Sequence, residues 1–225
     1  MVTTQGDRTH FSVILDRTGS MESIRQDTIG GFNGFLREQQ AQPSPATFTL
    51  VQFDSQDPYE VLHSFTPIGM IPPLTEATYV PRATTLLFDA IGRGINDLAG
   101  RLDSMQADQR PQKIVFVIVT DGHENASREF TGDRVRQMIK QRRDAGWQFV
   151  FLSADEQAIR DGESVGVQED FSMAVYKSSA GTRTLWKAVS TRAAGYRRAA
   201  APDMSLADLK RATREEAQRY LDRLK

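Results

Sequence analysis

The sequence predicts a doubly wound α/β domain. Its sheet is central, mostly parallel and six-stranded, with one antiparallel edge strand, helices on both faces and a C-terminal helical extension. Three observations carry that expectation. Apolar runs of strand length alternate with segments of helical periodicity. The most apolar run, Ile114-Val115-Phe116-Val117-Ile118-Val119, is continuous rather than alternating, which marks a strand covered on both faces. Two early runs, 47–53 and 59–65, are joined by a loop too short for a crossover helix, so they pair antiparallel.

The elements follow in order. Residues 10–16 read as the first strand, built on Phe11-Ser12-Val13-Ile14-Leu15. A helix follows over 21–40, where Ile24, Ile29, Phe32, Phe35 and Leu36 form an approximate stripe. Gly30, Gly31 and Gly34 each weaken it by about 1 kcal/mol relative to alanine. Three glycines on one helix imply close backbone packing on the sheet. Pro43-Ser44-Pro45 ends the unit. Asp54-Ser55-Gln56-Asp57-Pro58 then separates the hairpin strands 47–53 and 59–65.

Pro67, Pro72, Pro73 and Pro81 argue against a regular element in the stretch that follows. Thr84-Thr85 opens a helix over 86–105, with Leu87, Ala90, Ile91, Ile95, Leu98 and Leu102 at three- and four-residue steps. The buried strand 113–120 comes next, ending in Asp121-Gly122. A helix over 133–145, stopped by Gly146, and a strand over 148–153 continue the alternation. A short helix near 157–161, a last strand over 171–176 and a helix over 182–198 complete the domain, taken as residues 8–200. After Pro202, Ser205 with Asp208 three residues on resembles a helix start, so 201–225 is read as a charged C-terminal helix.

Composition narrows the classes. With 225 residues, 39% hydrophobic and 25% charged, the chain can bury one sizeable core. It has no cysteine, which excludes disulfides, thiolate metal sites and a cysteine nucleophile, and fits a reducing compartment. Met1-Val2-Thr3-Thr4-Gln5-Gly6-Asp7-Arg8 has no apolar signal core, and no run approaches the roughly 20 residues that span a bilayer. The expectation is a soluble cytoplasmic protein without a membrane partner. The net charge is −1, but residues 1–176 carry 16 Lys and Arg against 24 Asp and Glu, and 177–225 carry 12 against 5. A basic tail can touch nucleic acid or an acidic surface. The preferred reading is solvated helix faces partly packed on the acidic body, with no nucleic-acid partner.

Three loops carry oxygen groups. The first strand exits into Asp16-Arg17-Thr18-Gly19-Ser20, a carboxylate and two hydroxyls at alternate residues. Thr85 precedes the helix over 86–105, and Asp121 directly follows the central strand. If the first and central strands are neighbours at a switch point, these loops converge where open α/β sheets bind ligands. Two carboxylates and three hydroxyls supply most of an octahedral Mg2+ shell and leave room for water or one outside ligand.

These residues resemble a von Willebrand factor type A (vWA) domain. That family's hallmark is a metal-ion-dependent adhesion site (MIDAS), with an Asp-x-Ser-x-Ser loop, a distant threonine and a distant aspartate. Asp16-Arg17-Thr18-Gly19-Ser20 matches the loop, with Thr18 in the first serine's place. Ala83-Thr84-Thr85-Leu86-Leu87-Phe88-Asp89-Ala90 is similar to the threonine segment, although the family often has glycine where Ala83 stands. Thr120-Asp121-Gly122 matches the final aspartate motif. The likeness covers roughly residues 10–177. It implies a Rossmann-like vWA fold and a metal site of Asp16, Thr18, Ser20, Thr85 and Asp121, holding Mg2+ (or Mn2+ or Ca2+). It further implies non-catalytic binding of a protein that offers a Glu or Asp carboxylate. The chain most resembles the intracellular bacterial or phage branch, whose partners include AAA+ ATPases and stress-module components.

Glu124 and Asn125 can contact a ligand or a bound water, but are read first as polar residues that shape the rim, as is His123. Arg17 points from the metal loop, either toward an acidic partner or into solvent. His10, His63, Trp147 and Trp186 are read as packing or surface residues, and Met21 as helix-start packing. A Mg2+-dependent phosphohydrolase is the main alternative. It calls for a second carboxylate two residues after Asp16, where Thr18 stands, and no phosphate-binding glycine loop is present. A third reading is an assembly scaffold acting through the basic C-terminal helices.

Overall fold

The computed structural model describes residues 8–121, 124, 126–153, 172–174 and 179–198. The expected short helix near 157–161 and the charged helix of 201–225 lie outside the described residues.

The alternation in the sequence becomes β1 (Thr9–Asp16), α1 (Arg25–Gln40), β2 (Ala46–Phe53), β3 (Glu60–Pro67), α2 (Leu87–Ser104), β4 (Lys113–Thr120), α3 (Gly132–Asp144), β5 (Gln148–Ser153), β6 (Ser172–Ala174) and α4 (Ser179–Arg198). One six-stranded sheet has the order β3-β2-β1-β4-β5-β6. All neighbours are parallel except β2 and β3, which are antiparallel. The expected mostly parallel six-stranded sheet with one antiparallel edge strand is therefore the one observed.

The two central strands explain the continuous apolar runs. Side chains of a strand alternate between faces, so a strand covered on both must be apolar at every position. Phe11, Val13 and Leu15 of β1 and Val115, Val117 and Val119 of β4 face one core, with Phe32 and Phe35 of α1 and Trp186 and Val189 of α4. Ile14 of β1 and Ile114, Phe116 and Ile118 of β4 face the other, with Leu87, Ile91 and Ile95 of α2 and Val135 and Ile139 of α3.

Two local readings are corrected. The helix after β1 begins as a 3-10 segment over Gly19–Ile24 before α1 starts at Arg25. Three-residue spacing puts Met21 and Ile24 on one side, and both are buried. The α1 glycines do not pack on the sheet. A Cβ on Gly31 would lie 1.9 Å from Trp186 Cδ1 of α4, whereas Gly30 and Gly34 face open space. The close approach of helix to sheet falls instead at Gly94 of α2, where a Cβ would meet Ile14 Cδ1 at 2.8 Å.

The end of α4 is tied down away from the β1 exit. The buried Arg197 guanidinium donates to Gln39 O (2.6 Å), to Ser44 Oγ (3.2 Å) and to Ser44 O, and lies 5.8 Å from the Phe11 ring centroid. Lys113 Nζ donates to Arg197 O at 2.8 Å. Among the described residues, no helix is long and apolar enough to cross a membrane.

Candidate metal site

The strand order puts the site where two chain directions part. From β1 the chain runs through α1 to β2 on one side, while β4 pairs on the other in the register Ile14↔Ile118 and Leu15↔Val119. The ends of β1 and β4 therefore flank a crevice, the place where open α/β sheets receive ligands. Asp16 ends β1 and Asp121 directly follows β4.

All five expected residues meet there. Ser20 Oγ donates to Asp121 Oδ1 at 2.7 Å, Thr18 Oγ1 and Ser20 Oγ are 3.2 Å apart, and Thr85 Oγ1 donates to Thr18 Oγ1 at 3.4 Å. Asp16 Oδ1 accepts from the Thr18 backbone N–H at 2.7 Å, and its Oδ2 accepts from Thr120 Oγ1 at 2.5 Å. Asp16, Thr18, Thr85 and Asp121 are all buried. A carboxylate oxygen has two lone pairs, so each Asp16 oxygen keeps acceptor capacity after these bonds.

The electrostatics favour a cation. Burial pushes the Asp16 pKa up to about 6, and the Asp121 charge pushes it the same way against the lowering effect of the Thr120 and Thr18 hydrogen bonds. Burial also holds the Tyr79 phenol well above its ordinary pKa, with Asp16 and Asp121 adding to the rise. The Tyr79 hydroxyl donates to Asp16 O at 2.7 Å. Among the described residues, no group of three or more His, Asp or Glu is placed to hold a metal. The set here is two carboxylates with three hydroxyls, which suits a hard, oxygen-preferring ion and not a soft one.

Arg17 is neither free for a partner nor solvated. It is buried, with Nε donating to Asp54 Oδ2 at 2.8 Å and Nη1 donating to Gln52 Oε1 at 3.2 Å and to Glu60 Oε2. Arg82 Nε reaches the same Asp54 oxygen at 3.0 Å. Burial alone would raise the Asp54 pKa. The Asp57 and Gln56 backbone N–H groups, with the Arg82 and Arg17 guanidiniums, hold it below its ordinary value. The Asp16 loop is thus stapled to the β2–β3 turn. It is also stitched to the segment before α2, where Arg82 N donates to Arg17 O (2.8 Å) and Gly19 N to Ala83 O (3.1 Å). Ala83 has a φ of 60°, a left-handed conformation that costs a non-glycine residue about 1–2 kcal/mol. The close contact with Gly19 sits where the resemblance led one to expect glycine at Ala83.

Three neighbours of the site escaped the sequence. Thr120 and Tyr79 bond Asp16, and Asp89, with the already noted Glu124, binds the segments that follow Thr85 and Asp121. Only Asp89 left a local signal, an acid set among the buried residues of the α2 stripe. Thr85 is not a helix cap; the cap position of α2 is Leu86, without a side-chain cap bond. Glu124 shapes the rim as expected, while His123 and Asn125 lie outside the described residues. His10, Trp147 and Trp186 are core residues, and Met21 is fully buried.

The sequence matches no protein-family model and no curated protein. Solved structures do resemble it. Proximal thread matrix protein 1 from the mussel byssus, solved with a zinc-occupied MIDAS motif, has a TM-score of 0.54 at 14% identity over 86% of this chain and 47% of its own. The manganese-loaded TRAP protein of Plasmodium vivax has a TM-score of 0.52 at 12% identity over 80% of this chain and 72% of its own. A von Willebrand factor type A protein from Catenulispora acidiphila has a TM-score of 0.54 at 11% identity over 84% of this chain and 43% of its own. The chain thus spans about half the length of the mussel protein and less of the Catenulispora one. On the strand order, the position of the oxygen cluster and these likenesses, the chain has the fold of von Willebrand factor type A domains.

Proposed function

We propose that this chain is a divalent-metal-dependent protein-binding module. Asp16, Thr18, Ser20, Thr85 and Asp121 hold Mg2+, or Mn2+ or Ca2+, directly or through water, and a Glu or Asp carboxylate of a partner protein completes the shell. The observation that carries the reading is the convergence of five oxygen-bearing side chains from three loops at the β1–β4 switch point. Zinc and manganese in two proteins of the same fold support it. The partner class follows from the chemistry, because a hard cation with an open position takes an anionic oxygen. An AAA+ ATPase or a stress-module component inside a bacterial cell fits the sequence resemblance. A phosphohydrolase fits less well, because Thr18 stands where the general acid belongs.

The test uses Mn2+ as a spectroscopic stand-in, titrated by electron paramagnetic resonance with Mg2+ as competitor. The wild-type chain binds one Mn2+ that Mg2+ displaces, and Asp16→Ala abolishes binding while its circular dichroism spectrum is unchanged. Partner capture on the immobilised chain then requires Mg2+ and is lost in the same variant. Capture that resists EDTA and survives Asp16→Ala sinks the proposal, as does turnover of a phosphate ester that depends on Asp16.

A further inference from the structure

Two carboxylates beside the five oxygens are engaged almost wholly with backbone. Asp89, buried in the first turn of α2, accepts from the N–H groups of Arg128 (2.8 Å), Glu129 (2.9 Å) and Phe130 (2.9 Å). Glu124 accepts from the N–H groups of Phe88 (2.9 Å), Ala126 (2.8 Å) and Ser127 (2.6 Å), and from Ser127 Oγ (2.6 Å). Ser127 Oγ in turn accepts from Asp89 N at 3.1 Å.

The exchange is reciprocal. The helix carboxylate satisfies loop N–H groups, and the loop carboxylate satisfies Phe88 N, one of the first N–H groups of a helix, which have no intrahelical acceptor. An acid in the first turn commonly serves its own helix end. Asp89 does something else, because all three of its side-chain donors belong to the loop after β4. The following turn of α2 repeats the contact. A Cβ on Gly92 would lie 2.5 Å from the Phe130 ring, so only glycine leaves room for that ring, and Arg93 pairs with Glu129. Positions 88, 89, 92 and 93 thus form one face gripping residues 124 and 126–130.

We infer that Asp89 and Glu124 are positioning residues that clamp the Thr85 loop and the Asp121 loop into one rigid body and so fix the separation of their metal-binding oxygens. This deepens the metal-site reading and rests on it. Thr85 lies four residues before Asp89, and Asp121 three before Glu124. The Asp16 loop joins them through contacts of its own, Arg17 on Asp54 and the Gly19 N–H on Ala83 O. Residues that orient metal ligands typically change affinity 10- to 100-fold when lost.

The experiment is a Mn2+ titration by electron paramagnetic resonance on the full chain. It compares wild type, Asp89→Ala, Glu124→Gln, Asp16→Ala and Ile95→Val, the last a buried α2 residue outside the clamp face. Each variant's unfolding midpoint and the hydrogen exchange of the amides at 126–130 are measured alongside. The expected result is Mn2+ affinity at least tenfold weaker in Asp89→Ala and Glu124→Gln, with faster exchange at 126–130. Ile95→Val lowers the midpoint yet binds Mn2+ within twofold of wild type. The inference is overturned if the clamp variants bind within twofold of wild type, or if Ile95→Val weakens binding as much as they do. If Asp89→Ala does not fold, the gentler Glu124→Gln decides by the same criteria. Failure of the metal site itself shows in a different sample: wild type then binds Mn2+ no better than Asp16→Ala, and the clamp loses its role with it.

Discussion

His10 shows how one buried side chain sets a pH limit. It lies fully buried at the start of β1, stacked on Phe65 with ring centroids 3.9 Å apart, and its Nδ1 bonds Thr47 Oγ1 at 2.8 Å. Its buried Nε2 has no hydrogen-bond partner among the described residues, and burial pushes its pKa down to about 3. The unfolded chain, with a pKa near 6.5, therefore binds more protons than the folded one between about pH 6.5 and 3. Stability from this residue is fully present above pH 6.5 and is lost as pH falls through that window, at roughly 1.4 kcal/mol per pH unit. We predict that wild type loses about 2 kcal/mol more stability between pH 7 and pH 5 than His10→Phe, which keeps the stack on Phe65. Urea unfolding at the two pH values measures the difference; equal losses refute the assignment. At this scale the five candidate ligands were legible because Asp16, Thr18, Ser20 and Asp121 stand at strand exits and Thr85 at a helix entry, in the order the family resemblance implies. Arg17 was misread, because its acceptors Asp54 and Glu60 lie 37 and 43 residues away and a single position carries no sign of them.

At the scale of elements, the pairing of α1 with α4 depends on one missing methyl group. Trp186 of α4 lies against the backbone of α1 at Gly31, in edge contact with Phe32 at 6.0 Å between centroids. A Cβ at 1.9 Å from the indole forces the ring or the helix to move. Overpacking of that kind typically costs about 1–3 kcal/mol, more than the about 1 kcal/mol of helix propensity that alanine returns. Gly31→Ala is therefore predicted to lower the unfolding midpoint, whereas Gly30→Ala and Gly34→Ala, which face open space, raise it slightly. A calorimetric series of the three variants checks the order, and a stabilised Gly31→Ala contradicts the packing. Strands were legible almost to the residue, since 113–120 and 148–153 are the observed spans of β4 and β5. The helix after β1 was less so: its 3-10 start reflects the burial of Met21 and Ile24, which propensity does not register.

At the scale of the whole molecule, the chain is closed by Arg197. Its guanidinium joins the end of α4 to the end of α1 and to Ser44, and Lys113 at the start of β4 holds its carbonyl. The basic C-terminal tail, 177–225, was read as solvated faces partly packed on the body, and Arg197 is one cation that packs. Hydrogen bonds to a charged group are worth about 1.5–3 kcal/mol each, and unmet buried acceptors add to the loss. Arg197→Met, which keeps the stem and removes the donors, is predicted to destabilise the fold by about 2–4 kcal/mol. The tie sits near the starts of β1 and β4, whereas Asp16 and Asp121 stand at their far ends, so Mn2+ affinity in the folded variant is unchanged. Denaturation and Mn2+ titration of the same sample test both halves of the statement.

The sequence by itself determined the order of the described strands and α-helices, the antiparallel edge and the five oxygen-bearing residues, because hydrophobic period and the chemistry of element ends are local. Only the tertiary structure decided that β1 lies beside β4, so that Asp16 and Asp121 share a crevice. It also decided that Arg17 is consumed by Asp54 and that Asp89 and Glu124 bind the other two loops together. Those facts depend on which distant segments become neighbours. A carboxylate bonded to backbone N–H groups some forty residues away leaves no period, spacing or composition in the chain that carries it.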